Sequence, residues 1–330
     1  DDGATLPLYY ENRVPEVSIS NEDIGGEIAE ILDEADLTDE QEARLETEFS
    51  KAYHIITRDD RLETVAKDLV EHYINRAPFS DGRLGKAMVV SIDKATTIKM
   101  YDKVQAAWKT KLSSIKTQAK YATGSRLNKL NFQIGHMSSI DMAVVVSGGQ
   151  NDDERLAKKG LNYKPHRERY IKEQLDEKFK DPEDDLRIVF VCAMWLTGFD
   201  APAVSTLYLD KPLKSHTLMQ TIARANRVYA GKSAGQIVDY INIFSSLQQA
   251  LGLYGGGVAE GGAGYNVDSP AKDKSELVTA LGIATGELQV FLNSKDIDLA
   301  GIISAPADGF AKLSLLDNAS EILLEPKNKE

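Results

Sequence analysis

The sequence predicts an α/β fold, a parallel sheet with helices on both faces, preceded by an N-terminal helical segment and followed by a C-terminal helical extension. Two observations carry this. Five short runs, Lys86–Ser91, Met142–Ser147, Arg187–Met194, Thr206–Leu209 and Gln236–Tyr240, are apolar almost throughout, as strands buried on both faces are. Helix-length stretches separate most of them, as parallel neighbours require.

Taken in order, a strand-like run over Ala4–Tyr10 opens the chain. Apolar residues then recur at helical spacing over Asn21–Ala35, Thr38–Tyr53 and Asp59–Arg76, with Thr38 and Thr57 as candidate caps. The β-rich runs follow. A glycine cluster from Gly252 to Gly264 reads as a connector, and Lys272–Asn293 returns to helical periodicity. The expected divisions are 1–80, a strand with acidic helices; 81–250, the sheet domain; and 251–330, linker and partial helical domain. The start, Asp1-Asp2-Gly3-Ala4, has neither an initiator Met nor signal-peptide character, so a piece of a longer protein is expected.

Composition narrows the function. No apolar run is long enough to cross a bilayer, so no membrane partner is expected. Cys192 is the single cysteine, which excludes an internal disulfide and a cysteine zinc cage and favours a reducing, cytoplasmic setting. The histidines show no metal-ligand spacing, and no metal site is expected. A net charge of −12 argues against simple coating of nucleic acid. Charge is uneven, however. From Lys103 to Ile140 there is no acid but there are Lys103, Lys109, Lys111, Lys116, Lys120, Arg126 and Lys129. That stretch either tracks a phosphate backbone or faces the acidic helices.

Chemistry concentrates between Leu196 and Arg227. Parallel sheets bind ligands at the carboxyl ends of their strands, so the residues after Val90, Met194, Leu209 and Val238 deserve scrutiny. Thr197-Gly198-Phe199-Asp200-Ala201-Pro202 follows one such run. Glycine lets backbone approach a ligand, and Asp200 can accept a ribose hydroxyl or orient an arginine. Gln220, Arg224 and Arg227 follow on one expected helix, where residues i and i+3 share a face and two guanidiniums can meet one anion. Two decoys fall away. Gly231-Lys232-Ser233 lacks the earlier glycine of a phosphate-cradling loop, since position 226 is Asn, and reads as a turn. Asp152-Asp153-Glu154-Arg155 is separated from its strand by Gly148-Gly149-Gln150-Asn151 and reads as an exposed loop.

TGFDAP followed by QTIARANR resembles motifs V and VI of superfamily 2 helicases. The fuller spelling MWLTGFDAP, LYLDKP and HTLMQTIARANR is most similar to the motor (R) subunit of type I restriction-modification enzymes. AMVVSIDK, Ala87–Lys94, matches the place of motif IV, and MAVVVSGGQN extends the match. Ala223 departs from the glycine many members carry before the first arginine. The resemblance implies the second of two RecA-like motor lobes plus part of a helical domain, without the P-loop, the magnesium carboxylates or the nuclease. It implies a site completed by the first RecA-like lobe of the same protein, with ATP and Mg2+ in the full-length protein and none bound to this piece alone. Arg224 and Arg227 would reach the terminal phosphate and Gln220 would position them or a water. Gly198 and Asp200 would line the nucleotide cleft. Ser91, Lys94 and Thr197 would hold DNA phosphates. Lys116 and Lys120 join them only on the reading in which the basic stretch tracks a phosphate backbone. The implied partners are double-stranded DNA and the methyltransferase and specificity subunits of a restriction complex. Two other readings remain open: another superfamily 2 helicase or remodelling translocase, distinguished by whether a nuclease lies upstream, and a non-catalytic subunit-docking module.

Overall fold

The computed structural model describes residues 5–13, 50–76, 78–79, 82–149, 151–196, 198–213, 215–242, 271–304 and 310–324. In chain order these form β1 (Leu8–Asn12), α1 (Ser50–Thr57), α2 (Asp59–Ile74), β2 (Lys86–Ser91), α3 (Lys94–Ala119), α4 (Gly124–Ser139), β3 (Asp141–Val145), α5 (Asp152–Lys158), α6 (Lys164–Lys172), α7 (Leu175–Lys180), β4 (Leu186–Val191), β5 (Val204–Asp210), α8 (Ser215–Ala225), β6 (Gly235–Asp239), β7 (Ala271–Asp273), α9 (Lys274–Ser294), α10 (Leu299–Ser304) and α11 (Phe310–Leu324).

The sheet runs β3-β4-β2-β5-β6-β1-β7. Every pairing from β3 through to β1 is parallel, with Val89 beside Phe190 on one side and Tyr208 on the other. Side chains alternate between faces. Ala87, Val89, Ile188, Phe190 and Tyr208 point into a core closed by α2, α3 and α4. Met88, Val90, Val189, Val191, Leu207 and Leu209 point into a second core, closed by α7, α8 and the segment between β4 and β5. This is the RecA-like α/β fold expected.

Two helix starts show why the elements begin where they do. Asp93 caps α3, its carboxylate accepting from the Thr96 N–H at 2.6 Å. Thr57, expected to cap the next helix, instead closes α1: its hydroxyl donates back to the Tyr53 carbonyl at 2.8 Å, and Arg58 precedes α2. The expected helices at Asn21–Ala35 and most of Thr38–Tyr53, Thr38 itself and the glycine cluster lie outside the described residues.

The chain divides into two units, Asp1–Lys272 and Asp273–Glu330, where three stretches were expected. The N-terminal strand does not stand apart, because β1 pairs with β6 and its Leu8 and Tyr10 enter the second core. Helix α2 belongs to the first core through Leu62, Val65, Leu69 and Tyr73. The second unit has a small core of Leu292, Ile297 and Ile302, and Val278, Leu281, Val290 and Phe291 of α9 are exposed. Among the described residues no helix is long and apolar enough to cross a membrane.

A buried ion pair fastens α2 to the carboxyl end of β5. Arg61 donates to Asp210 at 2.6 and 3.2 Å and to the carbonyls of Ile56 and Tyr240, both at 2.9 Å. The paired side chains are 4% and 1% exposed. Removing one partner strands a buried charge, so Asp210→Asn is expected to lower unfolding free energy by about 3–5 kcal/mol in urea denaturation. Glu63→Gln, which breaks the exposed Lys67–Glu63 pair, should cost no more than about 0.5 kcal/mol. Equal effects would contradict this assignment.

Candidate functional site

Between Val191 and Val204 the chain must return from the carboxyl end of β4 to the amino end of β5. It does so over the second face, without a helix among its described residues. A partly buried segment with no helical ladder leaves its buried carbonyls in need of donors. Buried cations supply them. Lys211 Nζ donates to the Cys192 carbonyl at 2.8 Å, and Arg224 Nε to that of Leu196 at 3.2 Å. Lys232 Nζ donates to Pro202, Val204 and Arg227 at 3.3, 2.6 and 3.0 Å. Burial, with the Arg76 charge adding to it, pushes Lys232 down to about 7. Inside the crossover the Trp195 and Phe199 rings stack, 4.2 Å apart and 5° from parallel.

The two arginines take different environments. Helix α8 ends at Ala225, so Arg227 lies beyond it and the shared-face expectation does not apply. At Arg227 the backbone makes an antiparallel bridge with Thr5, and the Asn226 carbonyl accepts from Leu6 N–H at 2.6 Å. From there the Arg227 guanidinium reaches Asp200, Nη1 to Oδ2 at 2.8 Å, with the side chains 49% and 54% exposed. Arg224 is buried. Burial and then the neighbouring Arg227 charge lower its pKa, against the pull of Asp200. Gln220 is half-buried, its amide 2.7 Å from His216 Nε2. Gly198 is exposed, in left-handed backbone at φ 67°, with open space where a Cβ would stand.

The expectation was a site at the carboxyl ends of the strands, and Asp200 and Arg227 do not lie there. Lys232 joins the first residue of β5 to Arg227, and Gly235, which opens β6, donates to the Pro7 carbonyl. Asp200 and Arg227 therefore lie toward the amino ends of β5 and β6. Ser91 and Lys94 lie at the other end and are buried. Lys94 is committed to Asp152 at 2.9 Å, so neither residue faces a phosphate backbone as it stands. Asp152 was expected in an exposed loop. It begins α5 and is buried, because Lys94, Arg155 at 2.9 Å and the Gly149 N–H at 2.6 Å all converge on it. Burial opposes its ionisation, but those donors outweigh burial and lower its pKa.

The basic stretch is split. Lys103 pairs with Asp59 at 2.8 Å and Lys111 with Glu71, both acids of α2. Lys116 and Lys120 are exposed. They stand at the far end of α3, whose 26 residues span about 39 Å at 1.5 Å per residue. Thr197 lies outside the described residues.

Residues 84–242 match the family description of type I restriction enzyme subunit R domain 3. Residues 84–242 belong to the type I restriction enzyme R-subunit family. The chain is 36% identical over 253 residues, 76% of this chain and 21% of the other, to a protein of Methanocaldococcus jannaschii named as the MjaIXP endonuclease subunit of a type I restriction enzyme. It is 30% identical over 291 residues, 85% of this chain and 24% of the other, to the HindI endonuclease subunit of Haemophilus influenzae. The chain thus spans under a quarter of the length of these relatives. Among solved structures, a fragment of an HsdR subunit of a type I restriction enzyme from Vibrio vulnificus aligns with a TM-score of 0.36 at 16% identity, over 76% of this chain and 34% of that one.

ATP with magnesium is what this R-subunit resemblance implies. The described residues fit part of such a site: Arg227 offers an accessible cation, and Gly198, two residues before its partner Asp200, has open space where a Cβ would stand. They do not fit the metal, since no group of three or more His, Cys, Asp or Glu among them could hold one.

Lys232 escaped sequence reading, which placed it correctly in a turn but not in the interior. Its carbonyl partners leave no trace in a motif. Its folded pKa near 7 lies below the unfolded value of 10.5. Between those values the unfolded chain holds a proton the folded chain has lost, so this residue makes stability rise with pH through that window. Urea denaturation of wild type and Lys232→Met from pH 7 to about 9 should show wild type gaining relative to the variant. Parallel curves would contradict it.

Proposed function

We propose that this chain is the second motor lobe of an ATP-dependent translocase of double-stranded DNA within a type I restriction enzyme. The observation that carries the reading is the exposed Arg227 guanidinium, held by Asp200 beside an open glycine on the crossover. ATP and magnesium, bound mainly by the first lobe, supply a phosphoryl group whose transfer develops negative charge on its outer oxygens. Arg227 brings a fixed positive charge and a planar fork to those oxygens. To do so it must leave Asp200. An exposed pair is worth about 0–1 kcal/mol, so the exchange costs little.

Arg224 acts from beneath, spending its Nε on the Leu196 carbonyl and adding positive charge behind Arg227. Gln220 positions the arginines or the attacking water, and Gly198 and Asp200 line the nucleotide cleft. Thr197 meets the DNA backbone, and Lys116 and Lys120 extend that contact. These are backbone contacts, which set position without reading sequence. Lobe closure and opening then step the motor along the duplex, and cleavage belongs to the whole enzyme. The exposed apolar side chains of α9 favour a second role, docking of the methyltransferase and specificity subunits.

In the full-length subunit, Arg227→Ala is expected to reduce ATP turnover by about 10³-fold or more while DNA binding stays close to wild type. Normal turnover would remove Arg227 from the site. Replacing both Lys116 and Lys120 with Glu should weaken DNA binding and lower the slope of log affinity against log salt by about two. An unchanged slope would confine these lysines to solvation.

A further inference from the structure

We propose that Trp195 and Phe199 are positioning residues for Arg227, resting on the motor reading above. Their stacked rings tie the crossover into a fixed knot that presents Asp200. Both side chains are buried, and Phe179 of α7 stacks on each, at 5.8 and 6.3 Å. The Lys180 ammonium lies 5.5 Å over the Phe199 ring.

Trp195 holds φ 66°, a left-handed conformation that bulky side chains rarely adopt. That backbone turns the chain so that residues 195 and 199 meet face to face, although no helix brings them together. Two consequences follow along the chain. The Leu196 carbonyl, next to Trp195, faces Arg224 Nε. Asp200, next to Phe199, emerges toward Arg227. An aliphatic side chain at either position would fill the space without fixing the plane of the loop. Aromatic pairs, by contrast, have preferred relative orientations. The stack therefore sets where Asp200 stands, and Asp200 sets where Arg227 waits.

The test uses the full-length subunit with Trp195→Leu, Phe199→Leu and Trp195→Phe, each measured for kcat and KM of ATP hydrolysis and for thermal midpoint, with Arg227→Ala alongside. Both leucine variants are expected to lose about tenfold to a hundredfold in kcat through misplacement of the arginine, with KM for ATP near wild type and a thermal midpoint lowered by several degrees but still above the assay temperature. Trp195→Phe, which keeps a flat ring, should recover most of the loss. Wild-type kcat in both leucine variants would overturn the proposal while leaving the arginine assignment intact. Loss of both leucine variants to unfolding would overturn it too, by making the stack a folding element. If Arg227→Ala itself turns over normally, the motor reading fails and this inference with it.

Discussion

A chain that leaves one parallel strand at its carboxyl end must travel the length of the sheet before it can begin the next. Most such connections here are helical and satisfy their own backbone. The one between β4 and β5 has no helix among its described residues, and that single constraint organises the second face. Carbonyls at Cys192, Leu196, Pro202 and Val204 are satisfied by Lys211, Arg224 and Lys232, cations drawn from just beyond β5, from α8 and from the turn before β6. Buried donors to backbone oxygens cost desolvation, which is why Lys232 is pushed down to about 7. The unpaired carbonyls they replace would cost free energy as well.

The same arrangement explains why two arginines of one motif behave differently. Arg224 lies within α8, where its side chain runs into the interior and helps hold the crossover. Arg227 lies past the helix end, on backbone held by Lys232 and by Leu6, so its guanidinium emerges into solvent. One arginine is bonded to the loop and the other is exposed to solvent, with Asp200 as its counter-charge.

The sheet was legible in the sequence because burial on both faces demands apolar residues at nearly every position; Lys86–Ser91 was read with its observed ends. The family was legible in TGFDAP and QTIARANR. The interior cations were not. Lysine is by default an exposed residue, and nothing in the spacing of Lys94, Asp152, Lys211 or Lys232 marks a partner far along the chain or a backbone oxygen. Helical spacing likewise placed Arg224 and Arg227 on one face, because it cannot show that α8 stops at Ala225. Ser91 and Lys94 sit at the expected strand end, where the resemblance gave them DNA phosphates to hold, but both are buried and Lys94 is paired with Asp152 of α5.

The division of labour between the arginines is open to direct measurement by 15N NMR of arginine Nε–H groups near neutral pH. The Arg224 Nε–H, buried and bonded to Leu196, should exchange with solvent at least about tenfold more slowly than that of the exposed Arg227. Comparable exchange at the two sites would contradict the account, because neither guanidinium would then be holding the crossover.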